Sequence, residues 1–436
     1  MGYGGPNRFM ARRAANPGPN AVGERPSTSV EAPARLAVVS SEFPPKWGGV
    51  GNYTYHLVEA VAPSWPGTIE VLARNQDGVE VPLPPRVCLQ RLPFLPLPMV
   101  FALSFGQHAT EELCARRADR RPDVVHVMSN MTLLPRQAYE RLEMPVVSTM
   151  HGTWHGERQG LQLSDVAPTP QGLNDLAVLG LSPLFDRYED FAIENSDRVT
   201  VQSANELREV QARIKAKGLH PRGTIIEVSP GVDTHTYSPA HRSASLRRSL
   251  GISDDQLLVL CVARLAGRKG LEELVRAFAA VSARVPLARL VLVGDGPLRG
   301  RLEAVARTLG CRSKVRFIGA MPIARLAELY ASADLFMLLS RWEGFGLVPM
   351  EAMASGVPVV STGVGGIPEY VREETDGILV PVGSIDAAAQ AATELLQDPN
   401  RREQMGIAAR EGIVTGHSWE VVAQRFIAIY RDLLAR

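Results

Sequence analysis

The chain has 436 residues and a mass of 47.4 kDa, more than one hydrophobic core usually supports, so two domains of ordinary size are expected. Its 47 basic and 46 acidic residues give a formal net charge of +1, without the basic excess that nucleic-acid binding normally requires. The composition therefore argues against nucleic acid as a partner.

Residues 1–33, rich in Gly, Pro, Ala and Arg, are expected to form a disordered leader. They lack the apolar core of a signal peptide, and no stretch of about 18 apolar residues occurs, so we expect a cytoplasmic protein without a spanning segment. Two of the four cysteines lie in apolar segments, which favours buried thiols over disulfides or a zinc site. The four are Cys88, Cys114, Cys261 and Cys311.

The segment Leu92–Phe105 is apolar, but its three prolines rule out a regular spanning helix. Two interpretations remain. The segment is either a loop packed on the first domain, which we favour, or a surface that touches an acceptor or, peripherally, the inner face of a membrane.

From Arg35 onward, short β-branched apolar runs alternate with longer helical patterns, which is typical of repeated βαβ units and parallel sheets. We predict a first domain over residues 34–235, with a last strand and turn at Ile225–Asp233. Its other predicted strands are Leu36–Ser40, Ile69–Ala73, Val124–Met128, Val146–Met150 and Val199–Gln202.

The alternation continues in a second predicted domain over residues 236–418, with a hinge near residues 232–255 and a final helical segment at 419–436. Two Rossmann-like, doubly wound parallel sheets of the α/β class would face each other across a cleft lined by strand carboxyl ends and helix N-termini. The predicted elements are a helix at Leu271–Val285 and strands at Leu257–Ala263, Leu290–Val293, Val315–Ile318, Leu335–Leu339, Val357–Val360 and Ile378–Val380.

Two segments of the first domain carry candidate site residues. Phe43–Tyr53 follows the first strand and precedes a helix, and Gly48 and Gly49 belong to an amide-rich loop that can face phosphates. His151 ends the strand Val146–Met150, so it points toward the cleft if the sheet is parallel. The alternative for such a histidine is a hydrogen-bonded packing residue.

Two cations of the second domain, Arg264 and Lys269, follow the strand Leu257–Ala263 and precede a helix. A lysine at a helix N-terminus opposes the dipole unless an anion lies between them, which favours anion binding over an ordinary surface role. Such cations can neutralise a departing diphosphate, a task otherwise given to a metal. No Asp-x-Asp motif occurs in the sequence, so we expect chemistry without a metal.

The most informative segment is Ser340–Glu369, in which a loop joins a strand to a short helix. Gly344 and Gly346 allow the backbone to approach a ligand closely, and the first helical amides, near Leu347 and Val348, can bind a phosphate.

Two acids, Glu343 and Glu351, are separated by seven residues across that turn. The structural alternative for Glu351 is a third-position carboxylate that reaches back to the N-cap, but Val348 has no hydroxyl for a capping box. The alternative for Glu343 is a solvated loop acid, which the surrounding glycines and Trp342 argue against.

The E-x7-E spacing in the frame EGFGLVPMEAMASGVPVV resembles the donor site of the family 4 glycosyltransferases of the GT-B fold, and the resemblance spans about residues 35–436. It implies a retaining glycosyltransferase that needs no cofactor. In such enzymes the first Glu lies by the sugar ring and the second holds the ribose hydroxyls. The implied catalytic residues are His151, Glu343, Arg264 and Lys269, and the implied donor-binding residues are Gly48, Gly49, Arg264, Lys269, Gly344, Phe345, Gly346, Leu347, Val348 and Glu351.

The resemblance also implies a front-face mechanism, in which a donor phosphate oxygen takes the acceptor proton, with double displacement by a protein carboxylate as the alternative. It implies that Trp419–Leu434 crosses back to brace the first domain. We favour a UDP-hexose or UDP-N-acetylhexosamine donor, with GDP-mannose second. A lipid-linked glycan, a polysaccharide and a small polyol or aminocyclitol all stay open as acceptors.

Three rival functions fit the sequence less well. Gly294–Gly300 imitates a dinucleotide fingerprint, but its last glycine is one residue too far along and no ribose-binding acid follows, which argues against a dehydrogenase. A glycan phosphorylase would have a much longer chain and a pyridoxal phosphate lysine. A non-catalytic sugar-nucleotide sensor could dispense with part of the charged set, which is complete here.

Overall fold

The computed structural model describes residues 34–44, 49–75, 81–97, 100–129, 132–162 and 170–436. Over these residues the chain forms two parallel β-sheets, one of seven strands and one of six, together with helices that connect the strands. The expected α/β class with two doubly wound sheets is confirmed. The leader over residues 1–33 lies outside the described residues.

The first sheet is built from parallel strands that are buried and largely apolar except at its two edges. They are β1 (Arg35–Ser40), β2 (Thr68–Arg74), β3 (Val87–Leu92), β4 (Val124–Met128), β5 (Val146–Thr149), β6 (Arg198–Val201) and β7 (Thr224–Glu227). Their order is β3-β2-β1-β4-β5-β6-β7. The direction of winding changes between β1 and β4, the point at which such sheets bind ligands outside their carboxyl ends.

The second sheet repeats this plan. Its strands are β8 (Leu257–Val262), β9 (Ala288–Val293), β10 (Val315–Ile318), β11 (Leu335–Leu338), β12 (Val359–Thr362) and β13 (Gly377–Val380), in the order β10-β9-β8-β11-β12-β13. Here the switch point lies between β8 and β11. The loops that carry Lys269 and Glu343 follow these two strands, so the topology makes them neighbours.

Helices fill the connections and continue to the C-terminus. They are α1 (Gly49–Val61), α2 (Val100–Ala115), α3 (Arg136–Arg141), α4 (Trp154–Gln162), α5 (Pro170–Asn195), α6 (Ala204–Lys217), α7 (Ala244–Ser249), α8 (Leu271–Arg284), α9 (Arg299–Thr308), α10 (Ile323–Ala331), α11 (Leu347–Ala354), α12 (Ile367–Tyr370), α13 (Ile385–Gln397), α14 (Pro399–His417) and α15 (Trp419–Leu434).

The apolar segment over residues 92–105 is divided between several elements. Leu92 ends β3, Leu95 and Leu97 are 54% and 56% exposed, and α2 begins at Val100. A loop packed on the first domain therefore describes only part of it, because two leucines face solvent. In the described part of the chain, no helix is both long and apolar enough to cross a membrane.

All four cysteines carry free thiols. Cys261 and Cys311 are buried and Cys114 is half-buried, but Cys88 is exposed. Two buried thiols agree with the expectation, and Cys88 is exposed because it lies on β3, an edge strand.

The C-terminal helix α15 packs in the core of the first sheet, where Phe426 and Tyr430 are buried beside α1. The chain reaches it through Ser418, which forms a parallel bridge with Val232. The expected hinge over residues 232–255 is broader than this connection, because Tyr237 and Leu246 already belong to the core of the second sheet.

Candidate functional site

The loop after β8 is pressed against the end of β11. Gly270 has a left-handed backbone conformation, with φ of 58°, and a Cβ atom there would overlap the carbonyl oxygen of Leu339. Only glycine fits such a position. Lys269, which precedes it, is thereby held beside the loop that follows β11.

Lys269 forms an ion pair with Glu343 across these two loops. Its Nζ lies 2.7 Å from Oε1 and 2.8 Å from Oε2 of Glu343, and the hydroxyl of Ser340 donates a 2.6 Å hydrogen bond to Oε1. The side chain of Glu343 is only 8% exposed and that of Lys269 15%. The alternative for Glu343, a solvated loop acid, is therefore wrong, because the loop folds its carboxylate inward.

The backbone of this loop is supported from behind by the turn after β12. Gly366 N–H donates to the carbonyl oxygen of Gly344 over 3.0 Å, and a Cβ atom on Gly365 would overlap the carbonyl oxygen of Glu343. Both glycines lie within the segment Ser340–Glu369, but no sequence motif assigns them this role. Sequence alone does not show which backbone they approach.

The helix α11 begins one residue after the glycines of the loop. Its N-cap is Gly346, at φ of 87°, whose carbonyl oxygen accepts a 2.6 Å hydrogen bond from the hydroxyl of Tyr370. Leu347 and Val348 are the first two helical residues, so their amides have no partner within the helix. The N-cap was expected at Val348 and lies two residues earlier, because glycine alone adopts this conformation without strain.

Glu351 is consequently the fifth residue of α11, one turn beyond those amides. Its Oε2 accepts a 2.7 Å hydrogen bond from the hydroxyl of Tyr330. Burial raises the pKa of Glu351 to about 7, while hydrogen bonds from Tyr330 and Tyr237 lower it. The carboxylate therefore titrates near neutrality.

His151 supplies the opposite wall of the site, at the end of β5. Its Nδ1 lies 2.7 Å from Nε2 of Gln202, which follows the neighbouring strand β6, and its ring forms a T-shaped contact with the ring of Tyr53. Burial lowers the pKa of His151 to about 3, so the imidazole is neutral at pH 7. Its Nε2 is buried and has no hydrogen-bond partner among the described residues.

A cavity of about 300 Å³ joins the two walls. The predicted residues that line it are His151, Lys269, Glu343, Gly344, Phe345, Gly346, Leu347 and Val348. Gly49, Arg264 and Glu351 are not among its described lining residues, and Gly48 lies outside the described part of the chain. The structure thus brings eight of the twelve predicted residues around one space.

Contacts between the two walls close the cavity on one side. The indole of Trp342 lies against α4, where a Cβ atom on Gly160 would be 2.7 Å from the ring. The guanidinium of Arg268 lies 5.4 Å from the centre of the same ring, and Asn205 N–H donates to Glu369 over 3.3 Å.

Gln202 and Glu206 are lining residues that the sequence analysis missed. The signal was present, because Ser203 and Glu206 have the spacing of a capping box and Ser203 does cap α6. The spacing does not show that the Glu206 carboxylate accepts a hydrogen bond from Gly152, next to His151.

A larger cavity, of about 840 Å³, lies at the amino ends of β11 and β12, beside Asp334, Pro358 and α14. None of the predicted site residues lines it. Since doubly wound sheets bind ligands at their carboxyl ends, the smaller cavity is the candidate site.

Two family models match the chain: glycosyltransferase family 4 over residues 47–236 and glycosyl transferases group 1 over residues 243–412. An N-acetyl-alpha-D-glucosaminyl L-malate synthase of Bacillus anthracis is 32% identical over 66% of this chain and 68% of its own. A GDP-mannose-dependent monoacylated alpha-(1-6)-phosphatidylinositol monomannoside mannosyltransferase of Corynebacterium glutamicum is 28% identical over 92% and 99%.

Among solved structures, sucrose-phosphate synthase from Thermosynechococcus elongatus aligns with a TM-score of 0.71 and 25% identity, over 92% of this chain and 99% of the other. The predicted resemblance is confirmed by the family models, the sequence relatives and the fold together. The chain is a glycosyltransferase and belongs to the family 4, group 1 enzymes of the GT-B fold.

Proposed function

We propose that this glycosyltransferase transfers a hexose or N-acetylhexosamine from a UDP-sugar to a hydroxyl acceptor, with retention at the anomeric carbon and without a metal. The observation that carries the proposal is that the Lys269–Glu343 pair and the first residues of α11 line the same cavity. Lys269, Glu343 and the N-terminus of α11 thus meet where the loops after β8 and β11 come together.

The diphosphate of the donor fits the helix N-terminus. The amides of Leu347 and Val348 point along the helix axis, and the dipole favours an anion there. Lys269 lines the same cavity and supplies a positive charge, and Arg264 lies earlier in the same loop after β8. Fixed charges of this kind stabilise the departing diphosphate without reorganisation.

The sugar would then lie between Glu343 and His151. In a front-face transfer the C1–O bond to the diphosphate breaks while the acceptor oxygen bonds to C1 on the same face. The acceptor proton passes to a phosphate oxygen of the leaving group. Glu343 and His151 orient the sugar and its positively charged transition state, and no protein nucleophile is required.

Transfer assays with labelled nucleotide sugars, followed by NMR of the product's anomeric proton, test this reaction. The α-configured donor should give an α-linked product. An inverted product would contradict the proposal, and binding without turnover over a broad acceptor panel would favour the sensor.

Metal independence is tested by chelation. Turnover should be unchanged in EDTA because Lys269 and the α11 amides perform the charge stabilisation. A collapse of turnover that magnesium or manganese reverses would show that a metal carries out this step instead.

A GDP-mannose donor is the second candidate, supported by the name of the Corynebacterium glutamicum relative and its match over 92% of this chain. A thermal-shift panel of UDP, GDP, ADP and dTDP separates the two, since a ligand that binds the folded state raises its stability by mass action. The largest shift with UDP supports the first donor, and the largest shift with GDP supports the second.

A further inference from the structure

The contact between Gln202 and His151 determines which imidazole nitrogen carries the proton. The Nε2 of Gln202 is an amide nitrogen, which donates hydrogen bonds and does not accept them. In the orientation of the Gln202 amide that the structure shows, this nitrogen lies 2.7 Å from Nδ1 of His151, so Nδ1 is the acceptor. A neutral imidazole has one proton, so the proton resides on Nε2.

We infer that Gln202 is a positioning residue that fixes His151 in the Nε2–H tautomer and so presents a hydrogen-bond donor to the transferred sugar. The inference rests on the proposed function and specifies how His151 takes part in it. Nε2 is the atom of His151 that is buried without a partner among the described residues, and His151 lines the cavity. A sugar hydroxyl oxygen would satisfy it.

Glu206 holds both partners of this contact in place. Its Oε1 accepts a 2.8 Å hydrogen bond from Gly152 N–H, next to His151, and its Oε2 accepts a 2.7 Å bond from the backbone N–H of Gln202. One buried side chain therefore ties the end of β5 to the end of β6. A displacement of either end would break a hydrogen bond to this buried carboxyl group.

Two further acids secure the residues after His151. Glu209 Oε2 accepts from the hydroxyl of Thr153 over 2.9 Å, and Glu189 Oε1 accepts from the backbone N–H of Trp154. Three consecutive residues are thus each bonded to a different glutamate. This arrangement fixes the backbone of the loop, and Gln202 fixes the ring.

The tautomer can be measured directly by two-bond 1H–15N correlation NMR on full-length protein labelled with 15N-histidine. His151→Asn identifies the signals by their loss. We expect the wild-type pattern of a neutral ring with the proton on Nε2. A proton on Nδ1 would overturn the inference, whatever the activity.

Gln202→Glu tests the cause. The new carboxylate, once ionised, can only accept, so it should draw the proton to Nδ1 and leave Nε2 without a hydrogen to donate. We expect the NMR pattern to invert and kcat to fall about tenfold or more, while KM for the donor changes less than about twofold. Gln202→Met, which adds no charge, should give a mixture of tautomers and an intermediate kcat.

The exposed pair Gln159 and His155 on α4 provides a matched control. Their side-chain nitrogens lie 3.0 Å apart, and neither residue lines the cavity. Gln159→Glu should leave both kcat and the His151 signals unchanged. A loss of turnover in Gln202→Glu with an unchanged His151 tautomer would overturn the inference. A wild-type protein that transfers no sugar would instead count against the proposed function.

Discussion

Nζ of Lys269 lies within 2.8 Å of both carboxylate oxygens of Glu343, so the cation assigned to the diphosphate and the acid assigned to the sugar form one buried ion pair. A lysine near the N-terminus of α8 would oppose the helix dipole, and Glu343 supplies the anion that offsets this cost. Removing either charge should therefore affect stability as well as the proposed transfer.

Lys269→Ala should abolish transfer and also lower the free energy of unfolding by roughly 3 kcal/mol, because it leaves Glu343 charged and buried. Urea titration and a transfer assay measure the two effects. The double variant Lys269→Met, Glu343→Gln should recover most of the stability and none of the activity.

Arg136→Ala, in an ion pair whose side chains are 63% and 57% exposed, is the control and should change stability by less than about 1 kcal/mol. Substantial activity in Lys269→Ala would rule out its assigned role.

Glu351 should make nucleotide binding depend on pH. Its pKa in the folded protein is raised to about 7, so the carboxyl is protonated below that pH and ionised above it. Only the ionised form accepts two hydrogen bonds from ribose hydroxyls, so affinity should increase as pH rises from 6 to 8. Calorimetry with the nucleoside diphosphate preferred in the thermal-shift panel measures this slope.

The matched comparison is Glu351→Gln, which should bind the nucleotide more weakly and lose this part of the slope. Since titration of the nucleotide phosphate is common to both proteins, the difference between their slopes isolates Glu351. Glu343→Gln should spare nucleotide affinity and reduce turnover. The opposite ranking of the two variants would show that the roles of the two acids are exchanged.

The sequence predicted best the strands whose ends are marked by neighbouring polar or turn residues. The bounds of β4 and β10 match the prediction because their apolar runs are bounded by polar or turn residues. The strand β3 was missed because Leu92 is its single buried residue, and an edge strand need not be apolar on both faces. Hydrophobic patterns report burial, so an exposed edge is invisible to them.

For the site, too, the sequence predicted only what neighbouring residues along the chain determine. The E-x7-E frame and the cations after β8 lie on continuous stretches of sequence, and their loops were found. Gln202 acts on His151 from 51 residues away, through a contact that exists only once β5 and β6 pair. The Gly346 cap likewise depends on Tyr370, which approaches from the end of α12. Such relations need the sheet order, which local patterns do not contain.

Gly160 should tolerate no side chain without loss of turnover. An added Cβ would lie 2.7 Å from the indole of Trp342 and push the wall formed by α4 away from the loop that follows β11. Gly160→Ala should leave the melting temperature unchanged or raise it, because alanine favours the helix by about 1 kcal/mol. Its kcat/KM should nevertheless fall about tenfold. Gly300→Ala, where the Cβ meets nothing within 4 Å, should leave kcat/KM unchanged, and equal activity in both variants would show that the Trp342 contact is dispensable.

The two walls of the cleft should close on the donor, because neither His151 nor the Lys269–Glu343 pair surrounds the sugar alone. Val232 and Ser418 bring both connections between the sheets side by side, and Val232 N–H donates to His417 over 2.9 Å, which is a compact pivot for such a motion. Small-angle scattering should show a smaller radius of gyration with saturating nucleoside diphosphate than without it. Trp342→Ala, which removes a contact between the walls, should weaken that compaction, whereas Gly300→Ala should preserve it.

Deleting α15 would not test the hinge, since Phe426 and Tyr430 belong to the first core and their loss would unfold it. An unchanged radius of gyration, under conditions where calorimetry shows full binding, would mean that the cleft does not close on the donor.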